Sequence, residues 1–157
     1  MDFKKLNESL NRVLFEVMEQ YAFLLPEPMG PEHELKADVF KEVDYLQVEM
    51  DVTGPLDGCF VFLLPVTLSK EIDENLTGNP AQEPLCLEEV SEGAKEILNI
   101  IGGNVISEAF GNDVSFEISI PRAKSFRFEN SGHLSHLSVH GKLTVDGHPV
   151  LLFFEGA

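Results

Sequence analysis

The 157-residue chain contains no Trp, only two Cys, and 11 Lys and Arg residues against 27 Asp and Glu. Cys59 and Cys86 are far apart and form no CxxC pair, so they indicate ordinary thiols of a reducing compartment. The formal net charge of −16 repels phosphate backbones and anionic membranes. Nucleic acid and lipid surfaces are therefore poor candidates for partners, and a partner with a basic face fits better.

Long apolar runs are also missing, because none approaches the roughly 20 residues that span a bilayer. The first residues, MDFKKLNESLNRV, lack the apolar core and cleavage site of a signal peptide. We therefore expect a cytoplasmic protein. The motifs GxSxG, Walker A, GxGxxG and HExxH are absent as well. A hydrophobic content of 43% over this length is enough for one domain with its own core.

The longest segment with helical periodicity covers residues 88–110. Its apolar residues recur at three- and four-residue steps and share one side of a helix: Ala94, Ile97, Leu98, Ile101, Val105 and Ala109. The opposite side carries Glu96, Asn99, Gly103 and Ser107. The pair Gly102–Gly103 is unusual, since each Gly costs about 1 kcal/mol relative to Ala inside a helix. Either the glycines let a partner approach closely, or they mark a kink or a helix end.

Helix and strand signals alternate in the first half of the chain. An amphipathic helix is expected over residues 2–25. Its core stripe is Leu6, Leu10, Val13, Leu14, Val17 and Tyr21. Period-two alternation predicts a strand at 44–53, and a Gly- and Pro-containing turn joins it to an apolar strand at 59–64. Ser69 is expected to cap a short helix that ends at Gly78.

The second half is predicted to consist of strands after the central helix. Residues 114–120 alternate as a strand that the following proline interrupts, and 126–129 indicate a second short strand. A long strand is expected at 134–145. Asp-Gly at 146–147 signals a hairpin turn, and 150–154 close the hairpin.

The two halves of the chain are alike in order. Each contains a long helix, an alternating strand, an Asp-Gly turn and an apolar strand, as LQVEMDVTGPLDGCFVFLLP and LSVHGKLTVDGHPVLLFFEG show. This similarity suggests a duplicated unit, with pseudo-repeats at about 1–78 and 85–157. The predicted fold is α/β (α+β), a single domain over 1–157 with two long helices packed on a shared mixed or antiparallel sheet.

Glu96 and Asn99 form the strongest functional pattern, because three-residue spacing places them side by side on the exposed face of the central helix. A carboxylate there can pair with a lysine on a partner. A carboxamide donates and accepts hydrogen bonds at once, which suits it to orient a water molecule. Glutamine positions water in this way in GTP hydrolysis. Gly103, one turn further, leaves room for the partner.

This helix is similar to the signature helix of the CheC/CheX/FliY family of chemotaxis phosphatases. The family motif is Glu-x-x-Asn, typically followed by Gly-Asn four and five residues after that Asn. Glu96, Asn99, Gly103 and Asn104 match these positions. Members often carry Asp or Ser four residues before the Glu, and Glu92 stands there in this chain, which keeps an acid.

The resemblance implies dephosphorylation of the phospho-aspartate of a CheY-like response regulator. Glu96 would contact the lysine of the regulator, and Asn99 would hold the attacking water. The regulator would supply the phosphoryl group and Mg²⁺, so no cofactor of its own is expected. The further positions expected to contact the partner are Glu92, Gly103, Asn104 and Ser107.

The first helix contains a second Glu-x-x-Asn, Glu8 and Asn11, which is also expected on an outward face. Phe15 and Glu16 stand where the motif has Gly-Asn, and Phe15 would crowd an approaching partner. We interpret this second site as degenerate. With one intact motif the chain resembles CheX-type rather than CheC-type members. CheX is a homodimer in that family, so a homodimer is an expectation here.

Two other functions stay open at this point. One is a non-catalytic docking module for a response regulator or the flagellar switch. The other is a small-ligand or metal sensor that uses the histidines of the C-terminal third: His133, His136, His140 and His148. No Asp, Glu or Cys joins these histidines at ligand spacing. Positions on a sheet face or in loops are therefore favoured over a metal site.

Overall fold

A computed structural model of the protein describes residues 3–28, 43–80, 86–127 and 140–156. These residues form the helices α1 (Phe3–Gln20), α2 (Val66–Thr77) and α3 (Leu87–Phe110). Their strands are β1 (Glu27–Pro28), β2 (Tyr45–Thr53), β3 (Gly58–Pro65), β4 (Glu117–Ile118), β5 (Arg122–Phe126), β6 (His140–Val145) and β7 (His148–Gly156).

The strands pair into one antiparallel sheet in the order β1-β6-β7-β3-β2, with β4 and β5 both on the outer edge of β2. The hairpins β2–β3 and β6–β7 meet at the centre, where β3 pairs with β7. The predicted α+β class is confirmed, with three helices on an antiparallel sheet in the described residues. The duplication and its repeat boundaries stay a prediction.

The main core lies between the helices and one face of the sheet. Alternate residues of the strands point to this face, among them Val48, Met50, Phe60, Phe62 and Leu152. The apolar stripe of α3 packs against them. Five of its six predicted members are buried, Ala94, Ile97, Leu98, Ile101 and Val105, whereas Ala109 is half-buried. The opposite face of the sheet carries a smaller buried cluster: Tyr45, Val61, Leu63, Leu151 and Phe153.

Helix α1 ends at Gln20, so the expectation that it continues to residue 25 is wrong. Phe23 has a φ of 57°, a left-handed conformation that stops a right-handed helix. The N–H of Leu24 donates to the carbonyl of Met18 at 3.1 Å and closes the helix end. Tyr21 lies beyond this end and is 47% exposed, so it does not belong to the core stripe, whereas the other five members are buried.

Ser69 does not cap α2, because the helix begins three residues earlier. Its hydroxyl is buried and donates to the carbonyl of Val90 at 2.6 Å, which ties α2 to α3. The predicted end at Gly78 is confirmed. Gly78 has a φ of 74°, and its N–H donates to the carbonyl of Glu74.

The edge of the sheet beside β2 differs most from the expectation. Within the predicted strand 114–120, only residues 117–118 form the strand beside β2. Of the strand predicted at 126–129, residue 126 is the last residue of β5, residue 127 is not in a strand, and 128–129 lie outside the described residues. Strand β5 was missed because its side chains are exposed or half-buried and show no apolar alternation. Arg122 helps to hold it, with ion pairs to Glu49 at 3.1 Å and Asp51 at 2.9 Å.

The second hairpin agrees with its prediction within the described residues. Strand β6 covers the last part of the strand expected at 134–145, and the earlier part lies outside the described residues. Asp146 and Gly147 have φ values of 52° and 79°. Positive φ at both central residues is typical of the type I′ turn that Asp-Gly favours.

Candidate functional site

The glycine pair lies inside α3, so it does not mark the end of the helix. A Cβ added at Gly102 would come within 2.4 Å of Met50 Cε, because α3 lies close against the sheet there. A Cβ at Gly103 would meet nothing within 4 Å. Gly102 therefore serves helix–sheet packing, whereas Gly103 leaves open space on the outer side.

Glu96 and Asn99 are both exposed on α3. They line a cleft of ≈ 240 Å³ between the helix and the connection from β4 to β5. The residues that line this cleft are Glu92, Lys95, Glu96, Asn99, Ile120 and Pro121. The structure thus brings the two Glu-x-x-Asn side chains to a concave surface and adds a second wall that comes from the sheet edge.

Of the charged side chains that line the cleft, two form an ion pair with each other, and the third forms none with the described residues. Lys95 Nζ lies 3.2 Å from Glu92 Oε1, and the Lys95 side chain is only 22% exposed. Within the described part of the chain, Glu96 forms no ion pair and the Asn99 side chain makes no hydrogen bond. A carboxylate and a carboxamide one turn apart are therefore open to groups from outside this chain.

The remaining positions expected to contact a partner continue along α3. Asn104 is exposed, and Ser107 is half-buried. Neither of them lines the cleft, which includes Glu92 but ends before Gly103. They lie on the C-terminal half of the same helix and would meet only a partner that extends beyond the cleft.

The expectation that Asn11 lies on an outward face is wrong. Asn11 is half-buried, and its Oδ1 accepts a hydrogen bond from the backbone N–H of Lys142 in β6 at 3.0 Å. Its Nδ2 donates to the carbonyl of Asn7 at 3.1 Å. A Cβ at Gly141 would come within 3.0 Å of the Leu10 carbonyl oxygen, which shows how closely β6 approaches α1. Asn11 therefore stabilises the contact of helix and sheet.

Metal binding receives no support from the described residues. His133 and His136 lie outside them, and His148 is half-buried at the start of β7. Over residues 3–28, 43–80, 86–127 and 140–156, no group of three or more His, Cys, Asp or Glu side chains is placed to hold a metal ion.

Three lining residues of the cleft, Lys95, Ile120 and Pro121, were not found by the sequence analysis. Ile120 and Pro121 lie more than twenty residues from Asn99 in the chain, in a stretch where only a strand and its interruption were expected. No local pattern signals that this connection lies beside α3.

In the described part of the chain, no helix is both long and apolar enough to cross a membrane.

Comparison with known proteins assigns this architecture to a family. The family described as "Chemotaxis phosphatase CheX" matches residues 47–126, just over half of the chain, and the chain belongs to this family. The matched region includes the whole of α3 and both walls of the cleft. The family predicted from the residues of α3 is thereby confirmed. No curated protein matches the sequence.

Solved structures with the same fold come from several bacteria. The chemotaxis protein CheX of Desulfovibrio desulfuricans has a TM-score of 0.68 at 12% identity, covering 97% of this chain and 99% of that chain. CheX in the CheX–CheY–BeF3–Mg²⁺ complex of Borrelia burgdorferi has a TM-score of 0.61 at 17% identity, with 94% of each chain covered. FliY of Thermotoga maritima has a TM-score of 0.57 at 15% identity, covering 98% of this chain and 89% of that chain. At these identities the similarity establishes the fold.

Proposed function

We propose that this protein dephosphorylates the phospho-aspartate of a CheY-like response regulator with the Glu96–Asn99 face of α3. The observation that carries the proposal is a pair of exposed polar side chains that line a cleft. They lie one turn apart and have no internal partner in the described residues. Membership in the CheX family supports the class of reaction. The Borrelia burgdorferi complex, in which a CheX is bound to CheY, supports the class of partner.

Glu96 is proposed to pair with a lysine beside the phosphorylation site of the regulator. Lys95 already pairs with Glu92, so Glu96 is the carboxylate at the cleft that remains available. Two unit charges 4 Å apart attract by roughly 4 kcal/mol near a protein surface, before desolvation is subtracted. This contact would set the position of α3 over the phosphoryl group, and the net charge of −16 would favour approach of a basic surface.

Asn99 is proposed to hold the attacking water. Its Oδ1 can accept a hydrogen bond from the water while Nδ2 donates to the water or to a phosphoryl oxygen. The water attacks phosphorus in line with the bond to the aspartyl oxygen. That P–O bond breaks, the aspartate leaves as a free carboxylate, and both hydrogens of the water remain with the released inorganic phosphate.

The regulator would provide the Mg²⁺ that neutralises the phosphoryl oxygens, and this chain would add no cofactor. Orientation of water is the main contribution of the protein, and such positioning can be worth several kcal/mol of barrier. Gly103 leaves open space one turn beyond Asn99, which lets the partner surface approach the helix backbone. Asn104 and Ser107 would extend the contact. The expected homodimer stays a prediction.

The decisive experiment follows the decay of a CheY-like regulator that has been phosphorylated with acetyl phosphate. Wild-type protein should accelerate phosphate release, and Glu96→Ala, Asn99→Ala and the double variant should lose most of the acceleration. Glu19→Ala serves as the matched control, since Glu19 is an exposed carboxylate on α1. Full activity of a folded Asn99→Ala variant would contradict the mechanism. Binding without faster decay would select the non-catalytic docking module instead.

A further inference from the structure

The second wall of the cleft carries an exposed apolar side chain. Ile120 is 89% exposed, the highest value among the large hydrophobic side chains in the described residues. Together with Pro121 it faces Glu96 and Asn99 across the cleft of ≈ 240 Å³. We call Ile120 and Pro121 the Ile-Pro ridge. An isolated exposed Ile needs no explanation, but one that borders a polar site helps to define what that site can accept.

The residues before and after the ridge in the chain, Ser119 and Arg122, both form hydrogen bonds with Asp51 of β2. The N–H of Ser119 donates to the carbonyl of Asp51 at 2.9 Å, and the N–H of Asp51 donates to Ser119 Oγ at 2.9 Å. On the other side, the Arg122 guanidinium bonds both carboxylate oxygens of Asp51, at 2.9 and 3.2 Å. Pro121 adds a restricted φ. The exposed position of Ile120 is therefore preorganised, which lowers the entropy lost when a partner covers it.

We propose that the Ile-Pro ridge contacts the receiver domain of the regulator next to its phosphorylation site and selects among regulators. This inference rests on the proposed function. A regulator whose phospho-aspartate reaches Asn99 has to cover the cleft, and the ridge is the wall of that cleft opposite α3. The polar wall offers charge and hydrogen bonds, whereas the ridge offers only apolar surface.

Two consequences follow for recognition. When an apolar residue of the receiver packs on the ridge, the apolar surfaces of both are buried. This contact also excludes bulk water from the Glu96–lysine pair, which strengthens the ionic attraction. An acidic or amide side chain at the same place loses hydration against Ile120 without gaining a hydrogen bond. The ridge therefore favours receivers with an apolar residue beside the phosphorylation site and disfavours receivers with a polar one.

The test compares wild type, Ile120→Ala and Ile120→Glu with a panel of CheY-like receiver domains from the same cell. Affinity is measured with receivers activated by beryllofluoride and Mg²⁺, and KM and kcat with phosphorylated receivers. Ile120→Ala should raise Kd and KM about tenfold for the preferred receiver, as expected for a lost aliphatic contact, and leave kcat within about twofold. Wild type should bind receivers with an apolar residue beside the phosphorylation site more tightly than receivers with a polar residue there. Ile120→Glu should reduce or invert this difference in Kd.

Leu25→Ala is the matched control, because Leu25 is 87% exposed and lies outside the cleft. It should change neither Kd nor KM, and all variants should keep the wild-type melting temperature. Unchanged Kd and KM in Ile120→Ala, together with lost activity in Asn99→Ala, would overturn the ridge proposal and leave the phosphatase standing. Absence of both binding and acceleration with every receiver would overturn the proposed function and the ridge proposal together.

Discussion

The side-chain Oδ1 of Asn11 accepts a hydrogen bond from the backbone N–H of Lys142 at 3.0 Å. Lys142 precedes Leu143, which pairs with Pro28 of β1, so the side chain of a helix residue is the acceptor for a backbone N–H of the sheet. Helix α1 thus uses the Asn of its Glu-x-x-Asn sequence inside the protein. In α3 the equivalent Asn99 is exposed at the cleft.

The first prediction separates these two asparagines. Asn11→Ala should lower the free energy of unfolding by roughly 1–2 kcal/mol, because a partly buried N–H loses its acceptor, and should leave phosphatase activity unchanged. Asn99→Ala should reduce kcat about 100-fold with stability within about 0.5 kcal/mol of wild type. Urea denaturation and phosphate release measure both quantities. Loss of activity in a fully stable Asn11→Ala variant would mean that the second site works.

The second prediction concerns the open space at Gly103. Gly103→Ala should raise the free energy of unfolding by about 1 kcal/mol, since Ala is the better helix former and its Cβ meets no neighbour. Gly103→Leu should also keep the fold but should raise KM for the phosphorylated regulator at least tenfold, on the order expected from a clash at a docked surface. A Gly103→Leu variant with wild-type KM would show that no partner approaches the helix here.

The third prediction uses Gly93, a glycine in the first half of α3 with the opposite surroundings. A Cβ at Gly93 would lie 2.9 Å from both Cα and N of Asp73, which are backbone atoms of α2. Because backbone atoms cannot swing aside, Gly93→Ala should destabilise the protein by about 1–3 kcal/mol despite the gain in helix propensity. Urea midpoints of Gly93→Ala and Gly103→Ala, compared in the same buffer, should move in opposite directions. Equal shifts would contradict the close crossing of α2 and α3.

The fourth prediction concerns the pH dependence of stability at the α1–α3 contact. Burial acts to raise the pKa of Glu108, but hydrogen bonds from the Ser9 hydroxyl, at 2.5 Å, and from the Arg12 guanidinium outweigh it and hold the pKa below its usual 4.5. The unfolded chain therefore binds the proton more readily than the folded one. The stabilisation is present above the ordinary pKa and is lost as the pH falls through the folded-state pKa.

The Glu108→Gln variant has no carboxyl at this position, so it tests whether Glu108 makes the protein less stable as the pH falls. The wild type should lose stability more steeply than Glu108→Gln as the pH is lowered below about 4.5, and the two curves should run parallel near neutral pH. The Asp51 carboxylate contributes to the loss of stability at low pH in both proteins, because hydrogen bonds from Arg122 lower its pKa as well. A variant that loses stability as steeply as wild type would rule out Glu108 as a source of the slope.

The amino-acid sequence by itself determined the elements whose signals are local. The periodicity of α3, the alternation of β2, the Asp-Gly turn of β6–β7 and the glycine end of α2 were all predicted within a few residues. Each depends on contacts between residues that are near one another in the chain. The exposed Glu96 and Asn99 belong to this group as well, because their shared face follows from the helical repeat alone.

Only the tertiary structure decided what depends on distant segments. Strand β5 forms because β2 offers a free edge and two carboxylates for Arg122, not because its own residues alternate. Asn11 turns inward because β6, more than a hundred residues later, supplies a backbone donor. Ile120 becomes a wall of the cleft because hydrogen bonds with Asp51 of β2 hold the neighbouring Ser119 in place. These positions are set by long-range hydrogen bonds and packing, which leave no periodic signal in the sequence.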